Sequence, residues 1–360
     1  MQPLAGITVL DFSTLLPGPL ATLMLAEAGA DVIKIERPGG EDMRHFPPAW
    51  GGASAPFALL NRGKRGVTVD LKTERGKIEE MIRGADILVE QFRPGVMARL
   101  GLGYDDASKI NPKLIYCSIS GYGQTGPRAN EAGHDLNYIA ATGLLDLQSG
   151  PASDPVVPPM LAADIAGGSF PAVINILLAL RQRDLTGEGC HLDIAMTDAM
   201  FTFAWYALAI GQATGAFPKP GELMLVGGSP RYRLYPTKDG KLVACGALEQ
   251  KFWEAFTQVI ALPSEFIDDR KNPAVTRAEV AKRVASHDAE HWRPLLAKAD
   301  CCVTIIASLS EAVRDPHFVE RGLFAGEVAG TGGESMTALP VPVDPAFREK
   351  PKTKKFPPKN

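Results

Sequence analysis

Ile7-Thr8-Val9-Leu10-Asp11-Phe12 runs through Ser13-Thr14-Leu15-Leu16-Pro17-Gly18-Pro19 into the apolar stretch 20–28, and Asp31-Val32-Ile33-Lys34-Ile35-Glu36 follows. This reads as a strand, a turn marked by proline and glycine, a helix and a second strand. Outward from it the alternation continues. Residues 66–71, 86–90 and 114–119 are strand-like, and 73–82 carries the spacing of an amphipathic helix. Strands alternating with helical segments predict an α/β domain built on a parallel sheet with helices on its faces.

A strand–turn–helix–strand opening ending in Glu36 superficially suggests a nicotinamide site. Such a site needs G-x-G-x-x-G in the first turn so that the backbone can approach a pyrophosphate. The turn here has no such glycines, which argues against a dinucleotide and leaves a related layered sheet with another ligand.

Further along, residues 150–159 are proline-rich. Residues 165–181 form a long, nearly all-apolar helix opened by Asp164 and Gly167-Gly168, a composition that calls for burial. A turn at 186–189, a strand at 192–196 and a helix at 197–208 follow. The Gly- and Pro-rich segment 211–230 reads as a linker or mobile loop, and 231–246 as a hairpin turned at Asp239-Gly240. Helices are expected at 250–260, 276–286 and 290–299. The predicted organisation is a large domain over 1–212 completed by 319–360, a linker over 213–224 and a small α+β domain over 225–318.

The 360 residues are 45% hydrophobic and 22% charged, with a net charge of −3. That is ordinary globular composition, and it provides no global attraction to nucleic acid or to an anionic membrane. The five cysteines include no C-x-x-C pair, so neither a disulfide framework nor a zinc site is expected and a cytoplasmic setting fits best. The first residues lack the pattern of a secretory signal, and no run is expected to span a bilayer. The basic stretch 350–356 reads as a solvated tail.

Several segments together resemble a known family. Leu16-Pro17-Gly18-Pro19 and the run 25–38 look like the opening of the class III CoA-transferase (CaiB/BaiF) family. Asn61-Arg62-Gly63-Lys64-Arg65, Asp70-Leu71-Lys72, Phe92-Arg93-Pro94-Gly95 and Gly121-Tyr122-Gly123-Gln124-Thr125-Gly126-Pro127 continue the likeness. Gly133-His134-Asp135-Leu136-Asn137-Tyr138 and the segment 235–249, ending in Glu249, are similar to the α-methylacyl-CoA racemase branch, and Leu161-Ala162-Ala163-Asp164 to an aspartate motif common to racemases and transferases. Transferases of the family usually lack the histidine and the glutamate and are commonly longer. Two details depart from the racemase pattern: Ser229 in Gly227-Gly228-Ser229-Pro230 stands where alanine is usual, and Trp253 where tyrosine is frequent.

The resemblance implies a Rossmann-like parallel-sheet domain, a smaller α+β domain and an interlocked homodimer in which Glu249 approaches His134 from the partner subunit. It implies an acyl-CoA substrate and no separate cofactor or metal. Racemisation needs acid–base groups on both faces of the α-carbon. His134 is suited by its near-neutral titration, Asp164 if burial raises its pKa, and Glu249 as a carboxylate orienting the imidazole. Backbone N–H groups near Asp135, or at the helix start after Asp164, are the expected enolate donors. Arg37, Arg62, Lys64, Arg65 and Arg93 are the implied partners of the CoA phosphates, with Tyr138 at the entrance. The alternative is a CoA-transferase in which Asp164 attacks the thioester and forms a mixed anhydride. Taken singly, His134 could be a core histidine, Asp164 a helix cap and Glu249 a first-turn carboxylate.

Overall fold

The computed structural model describes residues 2–147, 153 and 155–359, so part of the proline-rich stretch 150–159 lies outside the described residues. The chain divides into two compact units. The first comprises Met1–Thr142, Pro159–Phe203 and Pro316–Asn360, the second Gly143–Pro158 and Ala204–Asp315.

The first unit is built on strands β1 (Thr8–Asp11), β2 (Asp31–Glu36), β3 (Arg65–Thr68), β4 (Ile87–Glu90), β5 (Ile115–Ser120) and β6 (Cys190–Ala195). They form one six-stranded sheet in the order β3-β2-β1-β4-β5-β6, with every neighbouring pair parallel. That is the strand order of dinucleotide-binding sheets, here without their glycine fingerprint. The inner strands are apolar on both faces: Val9, Leu10, Ile87, Leu88, Val89 and Ile115 are buried, as a sheet covered on both sides requires.

Helix α1 (Pro17–Glu27) begins with proline in its first turn, where the missing N–H costs nothing. Helix α2 (Ala55–Asn61) is capped by the Ser54 hydroxyl. Helix α3 (Arg75–Arg83) buries Ile78 and Ile82 on one face; with Leu10, Phe12, Leu88 and Tyr116 these make one apolar cluster. The stretch expected as one long helix is two elements: a π-helical turn over Ala163–Ser169 and an α-helix over Phe170–Thr186. By length and composition Ala163–Thr186 could cross a membrane, which corrects the expectation that no run qualifies. It belongs to the sheet unit, with Ala172, Ile176, Ala179 and Leu180 buried there.

The second unit pairs three strands, β7 (Tyr232–Pro236), β8 (Leu242–Gly246) and β9 (Val303–Ile305), in an antiparallel sheet. Three helices, Gln250–Val259, Pro273–Val284 and Ala289–Ala299, accompany it. Its core gathers Tyr235, Val243, Trp253, Phe256, Val280 and Trp292. Helix Trp205–Thr214 and the Gly- and Pro-rich segment after it group with this unit; the backbone N–H of Gly221 donates to Leu147 O at 3.4 Å.

The C-terminal end of β1 carries a buried polar network. The Asp11 carboxylate is inaccessible to solvent. Its Oδ1 accepts from Ser13 N at 3.0 Å, and its Oδ2 from Thr22 Oγ1 at 2.7 Å and Lys64 Nζ at 3.0 Å. Lys34, equally buried, pairs with Glu41 at 3.0 Å and donates to Ser13 O. Glu41 Oε2 in turn accepts the N–H of Leu15 at 2.9 Å, a residue with φ of 59°, so the network holds the first turn in the left-handed region that a leucine rarely adopts. Burial would raise the Asp11 pKa, but Lys34, Lys64 and the Ser13 and Thr22 hydroxyls outweigh it and hold the carboxyl well below the usual range.

Asp11→Ala leaves the buried Lys64 ammonium without its counter-charge and should cost ~3–5 kcal/mol of unfolding free energy in urea denaturation. Because the folded carboxyl titrates below the unfolded one, this contribution is full above about pH 4 and is lost as pH falls further. The gap between wild type and variant should therefore narrow on acidification.

Candidate active site

The sheet unit gathers titratable groups where β5 and β6 end. After β5 the chain passes through the glycine-rich segment 121–133 to helix α4 (Asp135–Ala141), with His134 as its N-cap. The His134 backbone N–H donates to Asn137 Oδ1 at 3.0 Å, and Tyr138 Oη donates to Gly133 O at 2.6 Å. These bonds fix the turn that carries the imidazole, which is itself exposed. Tyr138 is buried, edge-on to Tyr122 with ring centroids 5.3 Å apart, and the Arg128 guanidinium lies over the Tyr122 ring at 4.5 Å.

Asp164 enters from the π-helical turn. Its N–H donates to Asp135 Oδ1 at 2.9 Å, which ties the two segments together. The turn is anchored from below: Ser169 Oγ lies 2.8 Å from Pro17 O and 3.2 Å from Asp164 O. A Cβ on Gly167 would come within 2.3 Å of Met196 O, so only glycine lets the turn rest on the chain leaving β6.

Half-burial pushes the Asp164 pKa up to about 6, the Asp135 carboxylate adds to the rise, and His134 opposes it. Tyr138 is raised by burial first and by Asp164 and Tyr122 next, with Arg93 acting against them. Asp164 thus lies within electrostatic reach of His134, Asp135 and Tyr138, and Tyr138 within reach of Arg93. The Asp135 N–H, first in its helix, has no intrahelical acceptor. The arrangement can remove and return a proton, or present a carboxylate of raised basicity to an electrophile.

The basic residues separate by position. Arg93 is exposed on the turn after β4 and forms no ion pair among the described residues; Glu90 Oε2 accepts from Phe92 N at 2.8 Å to hold that turn. Arg37 is exposed after the end of β2 and paired with Asp42. Arg65 sits at the start of β3, at the opposite edge of the sheet, paired with Asp31. Lys64 is buried, and its Nζ meets Asp11, Pro19 O, Thr22 and Asn61 at 2.8–3.0 Å. Desolvation pushes its pKa down to about 8, against the pull of Asp11. Arg62 is 4% exposed and donates to Glu27, Leu59 O and Leu339 O. As arranged, Lys64 and Arg62 are buried and their bonds hold the fold together.

Glu249 belongs to the second unit, as the exposed N-cap of the helix Gln250–Val259. It lines a cleft of about 960 Å³ with Glu222, Ser229, Arg231, Gln250 and Asp269. Sequence reading had passed over the side chains of Asp135 and Ser169. The acid following His134 was a visible signal for the first; the second depends on a contact with Pro17, distant in sequence, and had none.

The CoA-transferase family III pattern matches residues 4–359. The chain is 33% identical to human α-methylacyl-CoA racemase over 97% of its length and 90% of the relative's. It is 34% identical to the acetyl-CoA:oxalate CoA-transferase of Acetobacter aceti over 95% of its length and 89% of the relative's. Length therefore does not separate the two activities here. A crystal structure of a CaiB/BaiF family protein from Brucella suis superposes with a TM-score of 0.81 at 31% identity, covering 96% of this chain and 93% of that one.

Asp135→Asn keeps an acceptor for the Asp164 N–H and removes the repelling charge. The Asp164 midpoint, followed by 13C NMR of carboxyl-labelled aspartate, should fall below about 6. An unchanged midpoint would show that burial alone sets it.

Proposed function

The chain belongs to CoA-transferase family III and is an enzyme acting on acyl-CoA thioesters, and from that premise we propose that it racemises 2-methylacyl-CoA at the α-carbon. The observation that carries this reading is the tether between Asp164 and Asp135, which joins a carboxyl with a pKa near 6 to the turn that bears His134. One group takes the α-proton, the C–H electron pair moves into the thioester to form an enolate, and the other group returns a proton to the opposite face. The bases are left with exchanged protonation states, which solvent restores. A carboxyl titrating near 6 is populated both as acid and as base close to neutrality, as a reversible reaction requires.

The enolate oxygen takes the Asp135 N–H as donor. Arg93 and Arg37 face the CoA phosphates. Glu249 comes from a second copy of the chain and steadies the His134 imidazolium. Exposed apolar side chains on the sheet unit, among them Ile174, Leu178, Leu185, Phe201 and Phe203, support burial in such a dimer.

CoA transfer through an Asp164 mixed anhydride is the second reading, favoured by the equal similarity to the Acetobacter aceti enzyme. Proton NMR of a (2R)-2-methylacyl-CoA in D2O, with no acceptor acid, separates the two. Loss of the α-proton with formation of the 2S epimer is the expected result, and His134→Ala or Asp164→Ala should each lower the rate of epimer formation by about 10²–10⁴-fold. No exchange, together with hydroxylamine-trapped acyl groups on Asp164, would overturn the racemase in favour of transfer.

A further inference from the structure

Glu249 is an N-cap that does no capping. Its backbone carbonyl receives the N–H groups of Phe252 and Trp253, both at 3.0 Å, while its carboxylate makes no cap bond and, among the described residues, no hydrogen bond or ion pair. Its two neighbours are instead held by one guanidinium. Arg231 Nη1 donates to Leu248 O at 3.1 Å and Nη2 to Gln250 Oε1 at 2.8 Å. The same side chain grips the Asp269 carboxylate with Nε and Nη2, at 3.0 and 2.7 Å. Asp269 is 6% exposed, so the pair is a planar, bidentate contact largely out of water, the kind that fixes geometry as well as charge.

The two departures from the racemase pattern both touch this arginine. Ser229 Oγ accepts the backbone N–H of Arg231 at 3.1 Å. The Trp253 ring lies under the guanidinium, 5.2 Å from its centroid, and its indole N–H is bound to Ile267 O at 2.8 Å. The adjoining backbone is pinned similarly: Arg277 donates to Gly228 O, which lines the cleft, at 2.8 Å, and Arg233 to Gly227 O at 2.5 Å. Gly228 packs so closely that a Cβ would meet Glu222 O at 2.3 Å.

We propose that Arg231, locked by Asp269, Trp253 and Ser229, is a positioning residue that holds the Leu248–Gln250 backbone so that the free Glu249 carboxylate is presented in one geometry. This rests on the reading of Glu249 as a participant in the reaction. Arg231→Lys keeps the charge and loses the fork, so the carboxylate is displaced without being removed. A misplacement of about 1 Å can cost on the order of 100-fold in rate.

The test is a double-mutant cycle on the full-length enzyme, measured as kcat for whichever activity it shows, α-proton exchange or CoA transfer. Glu249→Gln and Arg231→Lys should each lower kcat, by up to about 100-fold, with KM for the acyl-CoA little changed. In the Glu249→Gln background, Arg231→Lys should cost less than about twofold, since residues acting as one unit are not additive. Equal losses in both backgrounds would overturn the proposal and assign Arg231 to general stability. A Glu249→Gln variant with wild-type kcat would overturn it differently, by removing the role of Glu249 itself. Should Arg231→Lys fail to fold, Asp269→Asn releases the same guanidinium and takes its place in the cycle.

Discussion

The Asp11 carboxylate, buried with two lysines at the end of β1, is the constraint on which the rest depends. A charged group in that position survives only if every neighbour is placed to satisfy it. Ser13, Thr22 and Lys64 do so by hydrogen bonds and Lys34 by its charge, while Glu41 pairs with Lys34. The same contacts set the turn into α1 and with it the Pro17 carbonyl, which receives the Ser169 hydroxyl under the π-helical turn. Asp164 is thus positioned by a chain of hydrogen bonds that begins in the first strand.

Cations serve two purposes in this chain, and burial distinguishes them. Lys34, Lys64 and Arg62 are enclosed and give their donors to carboxylates, hydroxyls and carbonyls. Arg93 is exposed at the C-terminal edge of the sheet and, among the described residues, carries no counter-ion. A free guanidinium at that edge lies where ligands bind in open α/β sheets.

Much of the fold was legible in the sequence. All six parallel strands fall within a few residues of the runs that predicted them; the inner ones stand out as apolar because both their faces are covered. The His134 and Asp164 motifs were readable by likeness, and the raised Asp164 pKa from its apolar setting. Less legible were effects that depend on distant partners. The π-helical turn arises from Gly167 resting on Met196, a contact that local pattern does not encode. Lys64 looked like a phosphate ligand beside Arg62 and Arg65, and only the position of Asp11 shows what it neutralises. Ser229 and Trp253 looked like neutral departures until Arg231 appeared between them.

The central claim is that His134 and Asp164 serve opposite faces of one α-carbon, and it is tested most directly by following α-proton exchange in D2O from each epimer separately in His134→Ala and Asp164→Ala. The account predicts complementary behaviour: each variant loses inversion, and each retains exchange with only the epimer whose proton faces the remaining group, a different epimer in the two cases. Exchange lost from the same epimer in both variants, or inversion retained in either, would contradict it.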